Sequence, residues 1–266
     1  MAHRPQKKWG QNFLRNRGAV EQIVAALEAP PGSLVLEIGP GKGALTEILA
    51  GMPLEVRAWE IDPVLAESLT AKFAETSVEI VETDATEAEL PDRPFRAVGN
   101  LPYNVATPIV RRVIASPNWR RAVFMFQKEV GDKLTASPGD PDYGFLTLVV
   151  GLRAEVKRLI QLSPGSFFPR PKVHSTVVRL DPIERQLRSS IAEVEDLVSA
   201  SFRMRRKTLL NNLIGYREMT RDEASGAIEE AGLDPRQRAE TIHLDEFDGL
   251  AAIIARRSGP GTSPPA

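Results

Sequence analysis

The apolar run Leu34-Val35-Leu36-Glu37-Ile38 halts at Gly39-Pro40-Gly41-Lys42-Gly43, and helical spacing follows over 44–50. Five residues of that kind form a buried strand by length and branching. Glycine lets the chain turn tightly and brings its backbone against a ligand without Cβ obstruction. The unit is therefore strand, glycine loop, helix, and the pattern repeats. Strands are expected at 56–59, 78–81, 95–98 and 122–126. Helices should open near Pro63 with Asp62 as cap, at Thr107-Pro108 as cap and first turn, and at Lys128. Strands alternating with helices predict an α/β chain with a mostly parallel, doubly wound, Rossmann-like sheet. Ligands gather at the carboxyl ends of the strands in such sheets, and Gly39, Glu60, Asp84 and Asn100 each fall at or just past one.

Further strands are expected at 156–160 and 173–180, joined by a proline-rich loop at 163–171. Beyond 182 only helical spacing recurs, at 191–202, 207–213, 221–231 and 245–255. The expected organisation is a first domain over 1–182 with a basic N-terminal arm, a small helical domain over 183–258, and a disordered tail at 259–266. With 266 residues, 42% of them hydrophobic, the chain can bury a full core. It has no cysteine, and His3, His174 and His243 are too scattered for a metal centre, so no metal is expected. No apolar run reaches membrane-spanning length, which predicts a cytoplasmic protein with no membrane partner.

A net charge of −1 conceals segregation. Residues 1–20 carry Arg4, Lys7, Lys8, Arg15 and Arg17 without an acid, and 93–128 carry seven Arg or Lys without an acid. By contrast, 37–92 hold thirteen acids against three bases, and 218–248 hold ten against three. Phosphate binding follows local cation density. A basic face and a nucleic-acid partner are therefore expected, with Arg111, Arg112, Arg120, Arg121 and the cluster Arg203, Arg205, Arg206 and Lys207 on phosphates. Solvated helix faces are the alternative for any single cluster.

The glycine loop also reads as Gly-x-Gly-x-x-Ala, which suits a dinucleotide fold. Glu60, 21 residues after Gly39, can accept both hydroxyls of a ribose, a feature NAD enzymes share. Asp84 can accept from an adenine amino group, or simply form a turn. Asn100-Leu101-Pro102-Tyr103 separates the two readings. The Asn100 side-chain oxygen and the Leu101 carbonyl can accept the two N–H bonds of an exocyclic amine. Pro102 stiffens the loop and Tyr103 offers a stacking surface. Hydride transfer has no use for such a loop, whereas methyl transfer from S-adenosylmethionine to adenine N6 does. Phe167 is expected to close the other side of the base pocket, opposite Tyr103, and Phe168 could equally belong to the core.

Gln11-Asn12-Phe13-Leu14, the glycine loop with Ala44-Leu45-Thr46, Glu60, Asp84 and Asn100-Leu101-Pro102-Tyr103 occur in an order that resembles the bacterial small-subunit ribosomal RNA adenine dimethyltransferases, the KsgA (RsmA) family. So do Phe167-x-Pro169-x-Pro171-Lys172-Val173 and the stretch from Phe202 to Leu209. The resemblance reaches to about residue 255. Trp9 stands where the family commonly has Phe, and His174 where Asp is usual. It implies a Rossmann-like S-adenosylmethionine-dependent methyltransferase fold over 1–182 and needs no metal. The implied activity is dimethylation of N6 on two adjacent adenines in the 3′-end hairpin of 16S rRNA, in the immature 30S subunit, by a monomer. Asn12, Leu14, Gly39, Gly41, Glu60, Asp84 and Asn100 would bind the cofactor, and Asn100, Leu101, Tyr103 and Phe167 would serve the target base. Two alternatives stay open. One is the macrolide-resistance type of enzyme acting on 23S rRNA, whose loop usually has Ile at the place of Leu101. The other is a protein that is chiefly a ribosome-assembly RNA-binding factor.

Overall fold

The computed structural model describes residues 11–102 and 105–258. The stretch 1–10, Tyr103 and the tail 259–266 lie outside the described residues. The chain forms two compact units, Met1–Thr135 with Ala154–Pro182, and Ala136–Arg153 with Ile183–Ala266.

The first unit runs β1 (Phe13–Leu14), α1 (Arg17–Ala25), β2 (Leu34–Ile38), α2 (Ala44–Ala50), β3 (Glu55–Glu60), α3 (Pro63–Lys72), β4 (Val78–Glu82), β5 (Phe95–Asn100), α4 (Ala106–Ala115), β6 (Trp119–Gln127) and α5 (Lys128–Leu134). After α6 (Phe145–Gly151), which belongs to the other unit, it resumes with β7 (Ala154–Leu162), β8 (Phe167–Phe168) and β9 (Ser175–Pro182). Seven strands form one sheet in the order β4-β3-β2-β5-β6-β9-β7. The first five are mutually parallel, and β9 lies antiparallel to both β6 and β7. Val35, Val56, Val98, Val123 and Val177 share one core with α1 and α2. Their neighbours Leu36, Ala97 and Phe124 point to the opposite face and are equally buried. Burial of both faces is what makes these strands continuous apolar runs. The fold is the mostly parallel, doubly wound α/β architecture expected.

Asp62 caps α3 by accepting the Val64 N–H at 3.1 Å, with Pro63 in the first turn, as the sequence implied. The start of α4 differs. Its cap is Val105, so Thr107 and Pro108 sit inside the first turn. Proline is tolerated there because the first-turn N–H groups have no intrahelical acceptor to lose.

The second unit holds α6, α7 (Ile191–Ser201), α8 (Leu209–Leu213), α9 (Arg221–Glu230) and α10 (Leu244–Ser258). Segment 136–153 corrects the expected boundary, which had placed it in the first domain. Tyr143, Leu148 and Leu152 lie in the core of the helical unit. The Tyr143 hydroxyl donates to the Ile242 carbonyl at 2.8 Å, and Gly139 N–H donates to the Glu240 carbonyl at 2.9 Å. Ser190 with Glu193 and Thr220 with Glu223 close capping boxes on α7 and α9. No described helix is long and apolar enough to cross a membrane.

Candidate active site

Because β4, β3, β2 and β5 are adjacent and parallel, their carboxyl ends line one edge of the sheet. A cavity opens along that edge. Asn12, Gly39, Gly41, Glu60, Asp84, Asn100 and Leu101 all line it, so seven of the expected residues converge there. Leu14 borders an adjoining hollow with Glu37, Lys42 and Ala44, and Gly39, Gly41 and Asn100 are common to both.

The glycine loop is held from two sides. Gly39 and Gly41 have φ of +72° and +60°, and a Cβ on Gly41 would come within 3.0 Å of the Phe13 ring. The buried Glu60 carboxylate reaches across from β3. Its Oε2 accepts the Gly41 N–H at 2.9 Å and its Oε1 accepts the Asp62 N–H at 3.0 Å. Burial pushes the Glu60 pKa up, against the lowering effect of those backbone N–H bonds. A carboxylate offers about four acceptor sites, so these two bonds leave room for ribose hydroxyls.

Asp84 Oδ1 accepts both the N–H and the hydroxyl of Thr86, at 2.8 and 2.7 Å. This is the turn geometry weighed as the alternative, yet the residue also lines the cavity, and the turn uses only one of its oxygens. Arg112 on α4 fastens the same turn, donating to the Ala85 carbonyl at 2.9 Å and the Ala88 carbonyl at 2.7 Å.

Asn100 ends β5, and its Nδ2 donates to the Asn12 carbonyl at 2.8 Å. The amide is thereby oriented, with Oδ1 as the atom turned to other partners. Gly99 allows this placement. A Cβ there would lie 2.3 Å from the Ile38 carbonyl oxygen on β2, so only glycine lets the two strand ends meet. Leu101 is buried, and its N–H is fixed to the Met125 carbonyl at 3.2 Å.

Sequence reasoning missed several residues. Trp59, Ile61, Val105 and Ile109 give the cavity apolar walls. Ile61 is 38% exposed beside Glu60, a signal readable as an apolar residue just past a strand end. Gln11 donates to Asp62 at 2.8 Å, tying the segment before β1 to α3. Glu37 is the other omission, an acid inside an apolar strand. It is fully buried, its Oε2 accepts the Thr46 hydroxyl at 2.7 Å, and its Oε1 has no partner among the described residues. Burial raises its pKa to about 7, with a smaller push from Glu60 and an opposing hydrogen bond from Thr46.

Two expectations change. Phe167 does not line the cavity. It is 4% exposed in the core around Leu14, its antiparallel partner, while Phe168 is 46% exposed. Alternation along a strand sends neighbouring side chains to opposite faces, and here it turns Phe167 inward. The expected opposing ring, Tyr103, lies outside the described residues. In the acid-free stretch 93–128 Arg111 and Arg120 stay exposed, but other cations are tied down. Arg93 pairs with Glu55, Lys128 with Asp132, and Arg121 with Asp181 and Glu28. Arg112 is committed to the Asp84 turn. Arg203, Arg206 and Lys207 remain exposed in the second unit, while Arg205 donates to the Pro141 carbonyl.

A cavity with apolar walls and a few converging acceptors fits a nucleoside. The orphaned Glu37 oxygen and the glycine turn in the adjoining hollow fit a cationic amino-acid tail, so the residues present suit S-adenosylmethionine.

Comparison with known proteins agrees. The family described as ribosomal RNA adenine dimethylase matches residues 2–255. The chain is 39% identical to the ribosomal RNA small subunit methyltransferase A of Syntrophotalea carbinolica, over 96% of this chain and 98% of that one. Among solved structures, a dimethyladenosine transferase from Plasmodium falciparum aligns with a TM-score of 0.79 at 26% identity, covering 90% of this chain and 95% of that one. The 23S rRNA methyltransferase ErmE aligns at 0.72 and 30% identity, covering 91% and 99%.

Proposed function

This chain belongs to the ribosomal RNA adenine dimethylase family, and from that premise we propose that it methylates N6 of two adjacent adenines in the 3′-end hairpin of 16S rRNA while the 30S subunit is assembled. It is an S-adenosylmethionine-dependent enzyme. We assign it to the cytoplasm, acting as a monomer. Arg203, Arg206 and Lys207 on the helical unit would hold RNA phosphates.

The observation that carries the reading is the Asn100 amide. With Nδ2 engaged by the Asn12 carbonyl, Oδ1 is the atom presented to a target amine. Adenine N6 is a poor nucleophile because its lone pair is delocalised into the ring. Asn100 Oδ1 and the Leu101 carbonyl, each accepting one N–H, draw the nitrogen towards tetrahedral geometry and aim the lone pair. Bound S-adenosylmethionine supplies an electrophilic methyl. Glu60 and Asp84 would hold its ribose and adenine, and Glu37 its ammonium. Catalysis is then orientation and electrostatic complementarity, with no strong base required. Tyr103 would stack on the target base.

The test uses tritiated S-adenosylmethionine with undermethylated 30S subunits and, separately, with 50S subunits. Labelled N6,N6-dimethyladenine is expected from 30S RNA alone. Similarity to ErmE supports a second reading, dimethylation of 23S rRNA. Label in 50S RNA only would favour it.

A further inference from the structure

Phe168 is a large apolar side chain held out in solvent, 46% exposed, and nothing in the reaction above uses it. Its ring nevertheless has a neighbour on one face. The Arg15 guanidinium carbon lies 4.6 Å from the ring centroid, within the range of a cation–π contact. The backbone beneath is tied by the pairs Phe13↔Phe168 and Leu14↔Phe167 and by Arg15 N–H donating to the Ser166 carbonyl at 2.8 Å. Below it, Leu14 and Phe167 are buried. Phe13, the cross-strand partner of Phe168, lines the cavity that holds Gly39, Glu60 and Asn100. Directly paired residues on neighbouring strands lie only about 4.5–5.5 Å apart at Cα. The exposed ring is therefore rigidly attached beside the reaction site.

Its surroundings are cationic. From Lys157 to Leu180 the chain contains no Asp or Glu. Arg170 and Lys172 follow Phe168 closely and are exposed, as is Arg15. Among the described residues no carboxylate pairs with these three. This contrasts with the stretch 93–128, whose cations are largely satisfied internally.

We propose that Phe168, backed by Arg15, is a stacking platform for an unpaired purine next to the target, namely the second adenine of the pair while the first is being methylated. The proposal rests on the reading above for the identity of that neighbour. An open aromatic ring with Arg15 against it, followed two and four residues on by exposed cations, matches a base joined to phosphates. Base–aromatic stacking tolerates any base, and the cations hold the backbone on either side. A peptide partner would need acidic residues with no use for the flat ring, so RNA is the occupant.

The experiment measures methylation of undermethylated 30S subunits by wild type, Phe168→Ala, Phe168→Trp and Phe168→Leu. In Phe168→Ala, KM for the subunit should rise about tenfold, with S-adenosylhomocysteine affinity unchanged. Trp should restore it and Leu should not, because a mere packing role would be met by either. Wild-type KM in Phe168→Ala, or full rescue by Leu, overturns the platform. Filter binding of the same variants to single-stranded oligoadenylate needs no turnover and separates the two claims. A wild type that binds oligoadenylate more tightly than Phe168→Ala, yet methylates no 30S RNA, contradicts the proposed function and supports the platform. Equal affinity of the two proteins removes the platform even where methylation is intact.

Discussion

At the amino ends of β5 and β6, Arg121 meets Asp181 at 2.6 Å and also pairs with Glu28, while Arg179 reaches the same two acids at 2.7 and 3.3 Å. At the carboxyl ends of β2 to β5, no Lys or Arg among the described residues pairs with Glu37, Glu60 or Asp84. Those acids are held instead by the Thr46 hydroxyl, by the Gly41 and Asp62 N–H groups, and by Thr86. One end is a closed network in which opposite charges satisfy each other. The other positions its carboxylates with neutral donors and keeps acceptor capacity in reserve. A protein that must bind a charged nucleoside cofactor gains from the second arrangement, because a tightly paired carboxylate would first have to be released.

The largest effect is expected at Asn100. Asn100→Ala removes one of the two acceptors for the target amine and should lower turnover by about a hundredfold or more, with S-adenosylhomocysteine affinity little changed. Asn100→Asp sharpens the point. It keeps an acceptor but sets a carboxylate against the Asn12 carbonyl, so it should not recover wild-type turnover. Single-turnover kinetics with saturating cofactor reads both, and a fully active Asn100→Asp would mean that the bond to Asn12 orients nothing of consequence.

Gly99→Ala comes next. A Cβ 2.3 Å from the Ile38 carbonyl oxygen must push β2 and β5 apart where Gly39 and Asn100 stand. The cost should be about 1–3 kcal/mol of stability, seen in denaturant unfolding, together with weaker cofactor binding. An alanine variant of wild-type stability would show that the strand ends are less tightly met than described.

Glu37 gives a pH signature. Its carboxyl holds its proton to about pH 7 when folded, against 4.5 without that environment. The folded state thus binds the proton more tightly, and the associated stability is full below 4.5 and is lost as pH rises towards 7. The slope is about 1.4 kcal/mol per pH unit inside that window. Glu37→Gln lacks the slope, so its melting midpoint should gain on wild type between pH 5 and pH 8. Parallel curves for the two proteins by calorimetry would place the Glu37 titration elsewhere.

The smallest effect belongs to the closed end. Arg121→Ala leaves Asp181 with Arg179 and should lower the melting midpoint by only about 2–4 °C, without altering cofactor affinity.

Much of the open end was legible in the sequence because each part is local. A strand, its terminal residue and the turn beyond it are consecutive, so Gly39, Glu60, Asp84 and Asn100 could be placed from spacing alone. The closed end was not, because its partners are remote. Arg121 and Asp181 are 60 positions apart, and Arg93 and Glu55 are 38 apart. Seven cations in an acid-free stretch therefore read as a basic face when three of them, Arg93, Arg112 and Arg121, are tied to distant acids or carbonyls. The exchange of Phe167 and Phe168 has a different cause. A two-residue ladder carries no alternation long enough to reveal which ring turns inward. Segment 136–153 was misplaced because Phe145–Gly151 is an apolar run that suits any core, and only its packing with Tyr143 and Leu152 shows which core it joined.

The most direct test of the contrast between the two ends is calorimetric titration of S-adenosylhomocysteine into wild type, Glu60→Gln and Asp181→Asn, each confirmed as folded at the working temperature. Glutamine at 60 cannot accept both the Gly41 and the Asp62 N–H bonds and still serve a ribose, so affinity should fall by at least about tenfold, the scale of one charge-assisted hydrogen bond. Asp181→Asn should bind as wild type does. Unchanged affinity in Glu60→Gln, or a comparable loss in Asp181→Asn, would contradict the assignment of the carboxyl ends as the ligand-binding edge.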